Sequence, residues 1–181
     1  MSESIRRPPR KSVVGRPRPG QYLLAGFVSG FLAGVALIAL TSWYSSYHGF
    51  PELMPFRYVA SLAQGPTGIP THTLWIGMAV HSVLSALLGL VFAIFTSWIR
   101  SASLVALAGL VFGAAVYIVD FQILARVVTQ FSAFRTVDQP FMASVHLVFG
   151  AVLAVLVLLG ARRDAGLRPY YATETERRTE V

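Results

Sequence analysis

Four long stretches of this chain are almost free of charge, and the polar residues crowd between them. The apolar stretches run from Tyr22 to Tyr44, Leu74 to Trp98, Leu104 to Val127 and Phe141 to Ala161. A helix rising 1.5 Å per residue needs about 20 apolar residues to cross a bilayer's hydrocarbon, and all four reach that length. Their apolar positions go all the way round rather than forming one stripe, as helices surrounded by apolar neighbours require. Barrel strands would be about half as long and alternate with period two. The pattern predicts an all-α polytopic membrane protein with four transmembrane helices in an antiparallel bundle spanning residues 21–161. A basic arm (1–20) precedes it and a polar tail (162–181) follows.

The connections differ in length. Ile99 to Ser103 is short and predicts an antiparallel hairpin of the second and third helices. Ser45 to Thr73 is long and holds Pro51, Pro55, Pro66 and Pro70. Within it, PFRYVASLAQG places Phe56, Val59, Ala60 and Ala63 on one helical face, predicting a short amphipathic helix on the surface or capping the bundle. The third connection, Val128 to Pro140, carries Phe131 and Phe134 and is expected in the membrane interface.

Composition agrees with this reading. Of 181 residues, 55% are hydrophobic and 13% charged, and mean hydropathy is +0.61. A soluble domain carries about a quarter charged residues. The net charge of +7 changes the picture through its placement. Arg6, Arg7, Arg10, Lys11, Arg16 and Arg18 fall in the first arm. Arg162, Arg163, Arg168, Arg177 and Arg178 fall in the tail, and Arg100 in the short turn. All lie on one side of a four-span bundle, so the positive-inside rule puts both termini in the cytoplasm, as expected for a bacterial inner membrane. Trp43, Tyr44, Tyr47 and Trp75 mark the outer interface and Trp98 the inner one. The amino-terminal segment lacks the cleavage pattern of a secretory signal. Its cations suit anionic lipid, and no nucleic-acid fold accompanies them. There is no cysteine, which excludes disulfides, thiolate metal sites and a cysteine nucleophile. No phosphate loop, nucleophile elbow or zinc-protease motif occurs, and no proline interrupts a span to make a broken-helix transport site.

Small residues recur at four-residue spacing: Gly26, Gly30 and Gly34; Gly77, Ser85, Gly89 and Ala93; Gly109 and Gly113; Gly150 and Ala154. Such stripes let membrane helices approach closely, holding the four helices together or, for the first span, facing another subunit. His81 completes the second stripe, His146 lies four residues before Gly150, and Asp120 follows Gly113 by seven. Intramembrane ionisable groups face the bundle interior. At helical rise these three lie about 8–10 Å below the outer boundary, where they can meet, with Tyr117 beside them. Arg126 is expected to snorkel to the interface, and His48 and His72 to be solvated. One chemistry is a b-type haem held by His81 and His146. Others are a divalent metal on the His/His/Asp set and proton or quinone handling. The expectation is no resident cofactor, the three groups instead forming a His–Asp–Tyr hydrogen-bond network that fixes helix register at about 0.6 kcal/mol per bond.

The glycine-spaced GFVSGFLAGVA, the proline-rich connection into WIGMAVHSVLSALLG and the final HLVFGAVLAVL together resemble small bacterial four-helix inner-membrane proteins, the YagU-like and related groups. The resemblance covers the four spans and implies their fold. Three functions follow as expectations. The first is a non-catalytic small subunit packed against larger membrane subunits, for example in a respiratory or photosynthetic electron-transfer complex. The second is a cofactor- or proton-handling bundle built on His81, His146 and Asp120. The third is a small oligomeric transporter or channel.

Overall fold

A computed structural model describes residues 19–65 and 73–179, with side chains through residue 160. The basic arm and His72 lie outside the described residues. Those described are almost entirely helical, with no strand among them. Four segments are long and apolar enough to cross a membrane: Gly20–Tyr47, Thr73–Thr96, Ala102–Val127 and Gln139–Gly160. Each matches a predicted span to within a few residues, and the chain is a multi-pass membrane protein.

Helix α1 is described over Pro19–Tyr47. It stops at Gly49, whose φ of 77° is the left-handed conformation glycine adopts freely. Gly49 N–H donates to the Ser46 carbonyl at 3.0 Å and Phe50 N–H to Ser45 at 2.8 Å. This double closure satisfies the last carbonyls of the helix. Helix α2 (Met54–Gln64) is the predicted short helix, with Pro55 in its first turn and Gly65 at its end. Of the predicted face, Ala60 is buried and Phe56 and Val59 are half-buried, but Ala63 is exposed and Ser61 is buried in addition. Ser61 is drawn inward by donating to the Tyr58 and Gln130 carbonyls at 2.6 and 3.1 Å. α2 caps the bundle, packing on α3 (Thr73–Thr96) and on α1.

The third span is not one regular helix. α4 (Ala102–Tyr117) gives way to a π-helical segment, Ile118–Leu124, followed by the single turn α5 (Ala125–Val127). The spacing of its inward residues accounts for the change. Gly109, Gly113, Tyr117, Phe121 and Ala125 recur every four residues, and four residues overshoot an α-turn by about 40°. The wider π-turn reverses that drift, keeping Phe121 and Ala125 buried against Phe134. Phe134 belongs to a 3₁₀ segment, Thr129–Thr136, that crosses the same end of the bundle. Helix α6 begins at Gln139 and continues past its apolar part to Thr179, so the predicted polar tail extends the last helix.

The stripes of small residues set the packing. A Cβ built on Gly26, Gly30 or Gly34 would run into Ala93, Gly89 or Ser85 of α3 respectively. The first-span stripe is therefore used within the chain. Gly109 and Gly113 meet Gly150 of α6 in the same way. Gly77 instead admits the backbone of Phe56, letting α2 sit on α3. α1 also packs on α6, joining the α1–α3 and α4–α6 pairs around a core that includes Ala33, Phe92, Val105, Leu153 and Val157. α3 and α4, which the short turn predicts as a close hairpin, touch sparingly, because their small faces are already taken by α1 and α6.

Candidate functional site

The end of the bundle beneath α2 and the 3₁₀ segment holds a partly open cavity of about 360 Å³. Its walls come from the second half of α1, α2, the first half of α3, the π segment and the start of α6. His81, Asp120 and His146 all line it, so residues from three spans, separate in sequence, face one space as predicted.

Each is positioned by its neighbours. His81 stands one turn after Gly77 on the face of α3 that carries Ser85 and Gly89. A Cβ on Gly34 would lie 3.3 Å from His81 Cε1, so the bare glycine leaves room for the ring, which meets Phe56 edge-on at 6.4 Å. His146 is buried, with its Nδ1 2.7 Å from the Met142 carbonyl. A carbonyl can only accept, so Nδ1 carries the hydrogen and Nε2 is left for another partner. Phe121 lies edge-on to the ring at 5.1 Å. Asp120 is carried by the π segment, half-buried. Its carboxylate makes no hydrogen bond or ion pair among the described residues.

The predicted His–Asp–Tyr network does not form among the described residues. Tyr117 does reach His146, with ring centroids 6.1 Å apart, but its hydroxyl turns elsewhere. Gln122 Nε2 donates to that hydroxyl at 2.7 Å, and the hydroxyl donates to Gln139 Oε1 at 3.2 Å. Gln139 in turn donates to the carbonyls of Phe134 and Val137 at 2.9 and 3.1 Å. Exposed Arg126 folds back on its own helix to bind the carbonyl and side chain of Gln122. Helix register at this end is thus fixed by two glutamines, neither of them part of the predicted network. Gln122 is the one amide in the third apolar stretch, and that was the available signal. Among the described residues no three His, Cys, Asp or Glu side chains converge closely enough to hold a metal ion. The three ionisable groups share a chamber without forming a common ligand set.

The mouth of the chamber carries a second polar contact absent from the prediction. Tyr44 of α1 donates its hydroxyl to Asp138 Oδ2 at 2.8 Å and stacks on Phe141, with centroids 3.7 Å apart. Phe141 N–H donates to Asp138 Oδ1 at 2.9 Å, which caps α6. The Phe141 amide and then the Tyr44 hydroxyl hold the Asp138 carboxyl below the usual carboxylate range, with His48 adding to the effect. A carboxyl lowered on folding contributes stability above its unfolded pKa of about 4 and loses it as pH falls through the lower folded value. Melting temperatures taken from pH 6 down to pH 3 should therefore decline below about pH 4. Asp138→Ala should lower the plateau slightly and flatten that decline. An unchanged acid limb in the variant would show that Asp138 plays no part in it.

No family model, curated relative or solved structure matches the chain.

Proposed function

We propose that the chain is an antiparallel four-helix bundle of a bacterial cytoplasmic membrane, with both termini cytoplasmic, whose outer half binds one small amphiphilic molecule. The order of the glycine contacts, rising along α1 while falling along α3 and likewise between α4 and α6, supports the antiparallel arrangement. The clustering of basic residues in the arms and short turn supports the orientation. Because the chain lacks cysteine, single introduced thiols report cleanly. An impermeant maleimide added to intact cells should label Glu52→Cys and leave Ser97→Cys untouched; the reverse pattern would invert the topology.

The observation that carries the binding role is Asp120. An aspartate inside a span costs about 2.5–3.5 kcal/mol on insertion, and this one faces a cavity of small-molecule size with no partner among the described residues to offset that cost. His81 and His146 Nε2 supply further hydrogen-bonding positions. A bound molecule should raise the melting temperature by mass action. Val59→Trp, which fills the chamber from the α2 roof, should abolish the shift while leaving the spans intact. Extraction of the purified protein, with its visible spectrum, identifies what is carried and separates a haem from a colourless ligand. If neither native extraction nor a panel of quinones, amines and lipids yields a ligand, the binding reading fails.

The alternative reading is an accessory subunit of a larger electron-transfer complex. It is favoured by charged arms flanking a bundle with little mass outside the membrane. Mild solubilisation of native membranes should then recover the chain with stoichiometric partners, and recovery alone would sink it.

A further inference from the structure

We infer that the chamber's ligand is a hydrophobic organic cation, an amine or quaternary ammonium on an apolar body, held by the carboxylate of Asp120. This rests on the binding role proposed above and narrows its chemistry.

The charge inventory of the walls carries the inference. Among the described residues lining the cavity there is no lysine and no arginine, so nothing with a permanent positive charge stands ready to balance an anionic head group. Two carboxylates line it, Asp120 and Asp138. Both oxygens of Asp138 are engaged, Oδ1 by the Phe141 amide and Oδ2 by the Tyr44 hydroxyl. Asp120 alone presents an unengaged carboxylate. His146, with Nδ1–H given to the Met142 carbonyl, presents an acceptor at Nε2. Neutral His81, which also lines the space, adds one N–H donor and one acceptor, so the negative charge of Asp120, unmatched by any lysine or arginine in the walls, is what favours a cation.

The apolar walls point the same way. Tyr58, Phe121, Phe134 and Phe149 border the same space; Phe121 is stacked on both Tyr117 and Phe134, whereas Tyr58 and Phe149 stack on no other ring among the described residues. Aromatic faces attract a cation within about 6 Å of their centroids, and the strength rises where water is excluded. A carboxylate paired with aromatic walls recognises the charge of an ammonium and the bulk of its substituents together. A neutral molecule of the same shape receives only the second part.

The test uses full-length protein in nanodiscs of zwitterionic lipid and three probes. They are 4-phenylbutyltrimethylammonium, its neutral isostere with carbon in place of nitrogen, and a short-chain ubiquinone. The cation should bind about tenfold or more tightly than the isostere, the discrimination a charged hydrogen-bonding or ionic contact supplies. Asp120→Asn should remove that preference while retaining the isostere's affinity. Should Asp120→Asn fail to fold, carbodiimide labelling of the unaltered chain gives the same answer. Modification of Asp120, read by mass spectrometry, should be blocked by the cation and not by the isostere. Equal binding of cation and isostere, a preference that survives Asp120→Asn, or labelling the cation does not block would each overturn the cation inference. Tight ubiquinone binding without cation preference would overturn it while keeping the chamber as a binding site. Failure of all three probes would overturn both.

Discussion

Replacing Gly150 with valine should separate α4 from α6 and cause the largest loss of stability of any single change considered. The first atom added, a Cβ, would lie 2.9 Å from the carbonyl carbon of Gly109 and 2.9 Å from the amide nitrogen of Gly113. Both are backbone, so no side chain can rotate away and the helices must move apart as bodies. Lipid restores little when they part, because apolar side chains leaving protein for hydrocarbon gain and lose almost nothing by transfer. Close packing itself is what is lost. Overpacking of this kind costs about 1–3 kcal/mol, occasionally more, and an obstacle made only of backbone belongs at the upper end. Gly89→Val should behave alike at the α1–α3 contact, where the Cβ would stand 2.6 Å from the Gly30 nitrogen. Gly20, with nothing within 4 Å of its Cβ position, is the control; Gly20→Ala should leave stability unchanged or slightly higher. Unfolding titrations in mixed micelles measure all three. Equal behaviour of Gly150→Val and Gly20→Ala would mean that the α4–α6 approach does not hold the bundle together.

Phe92→Ala should cost about 2–3 kcal/mol, the cavity share of a buried aromatic truncation. Phe92 is 1% exposed in the core shared by the four spans and packs on Phe112 with ring centroids 5.4 Å apart. In water the same change would also forfeit transfer free energy. In a bilayer that part largely vanishes, and the contacts around the emptied volume remain as the cost. Phe95, three residues on and 61% exposed, separates the two effects. Phe95→Ala should be nearly neutral in lipid, although by hydrophobicity alone the two changes are the same. Matching losses at both positions would show that transfer, not packing, governs this bundle.

Much of the architecture is legible in the sequence. Four uninterrupted apolar stretches predict four spans, and the helical spacing of Phe56, Val59, Ala60 and Ala63 in PFRYVASLAQG predicts α2. Helical spacing of Gly77, His81 and Ser85 predicts that His81 turns inward. Which stripe meets which was not legible, because a row of small residues says that a backbone comes close without naming whose. The short turn between α3 and α4 suggested those two as partners, yet a five-residue link holds only the ends together. The π segment was hidden because hydropathy that is high all round carries no phase. Only the four-residue recurrence from Gly109 to Ala125 marks it. In the site, ionisable residues stood out against apolar surroundings and were found. Gln122 and Gln139, uncharged and equally able to bind, did not stand out.

The pattern of contacts also dictates an order of assembly. Contacts within α1–α3 and within α4–α6 join spans that follow one another along the chain, whereas α1 against α6 joins its two ends. A ribosome working from the amino end completes the first pair before α4 exists. The side of α1 that α6 covers must then face lipid until the last span is made. The contact between the most distant segments, the slowest kind to close, comes at the end. Because the cavity draws walls from both pairs, it comes into being with that final closure and is the last part of the molecule to form.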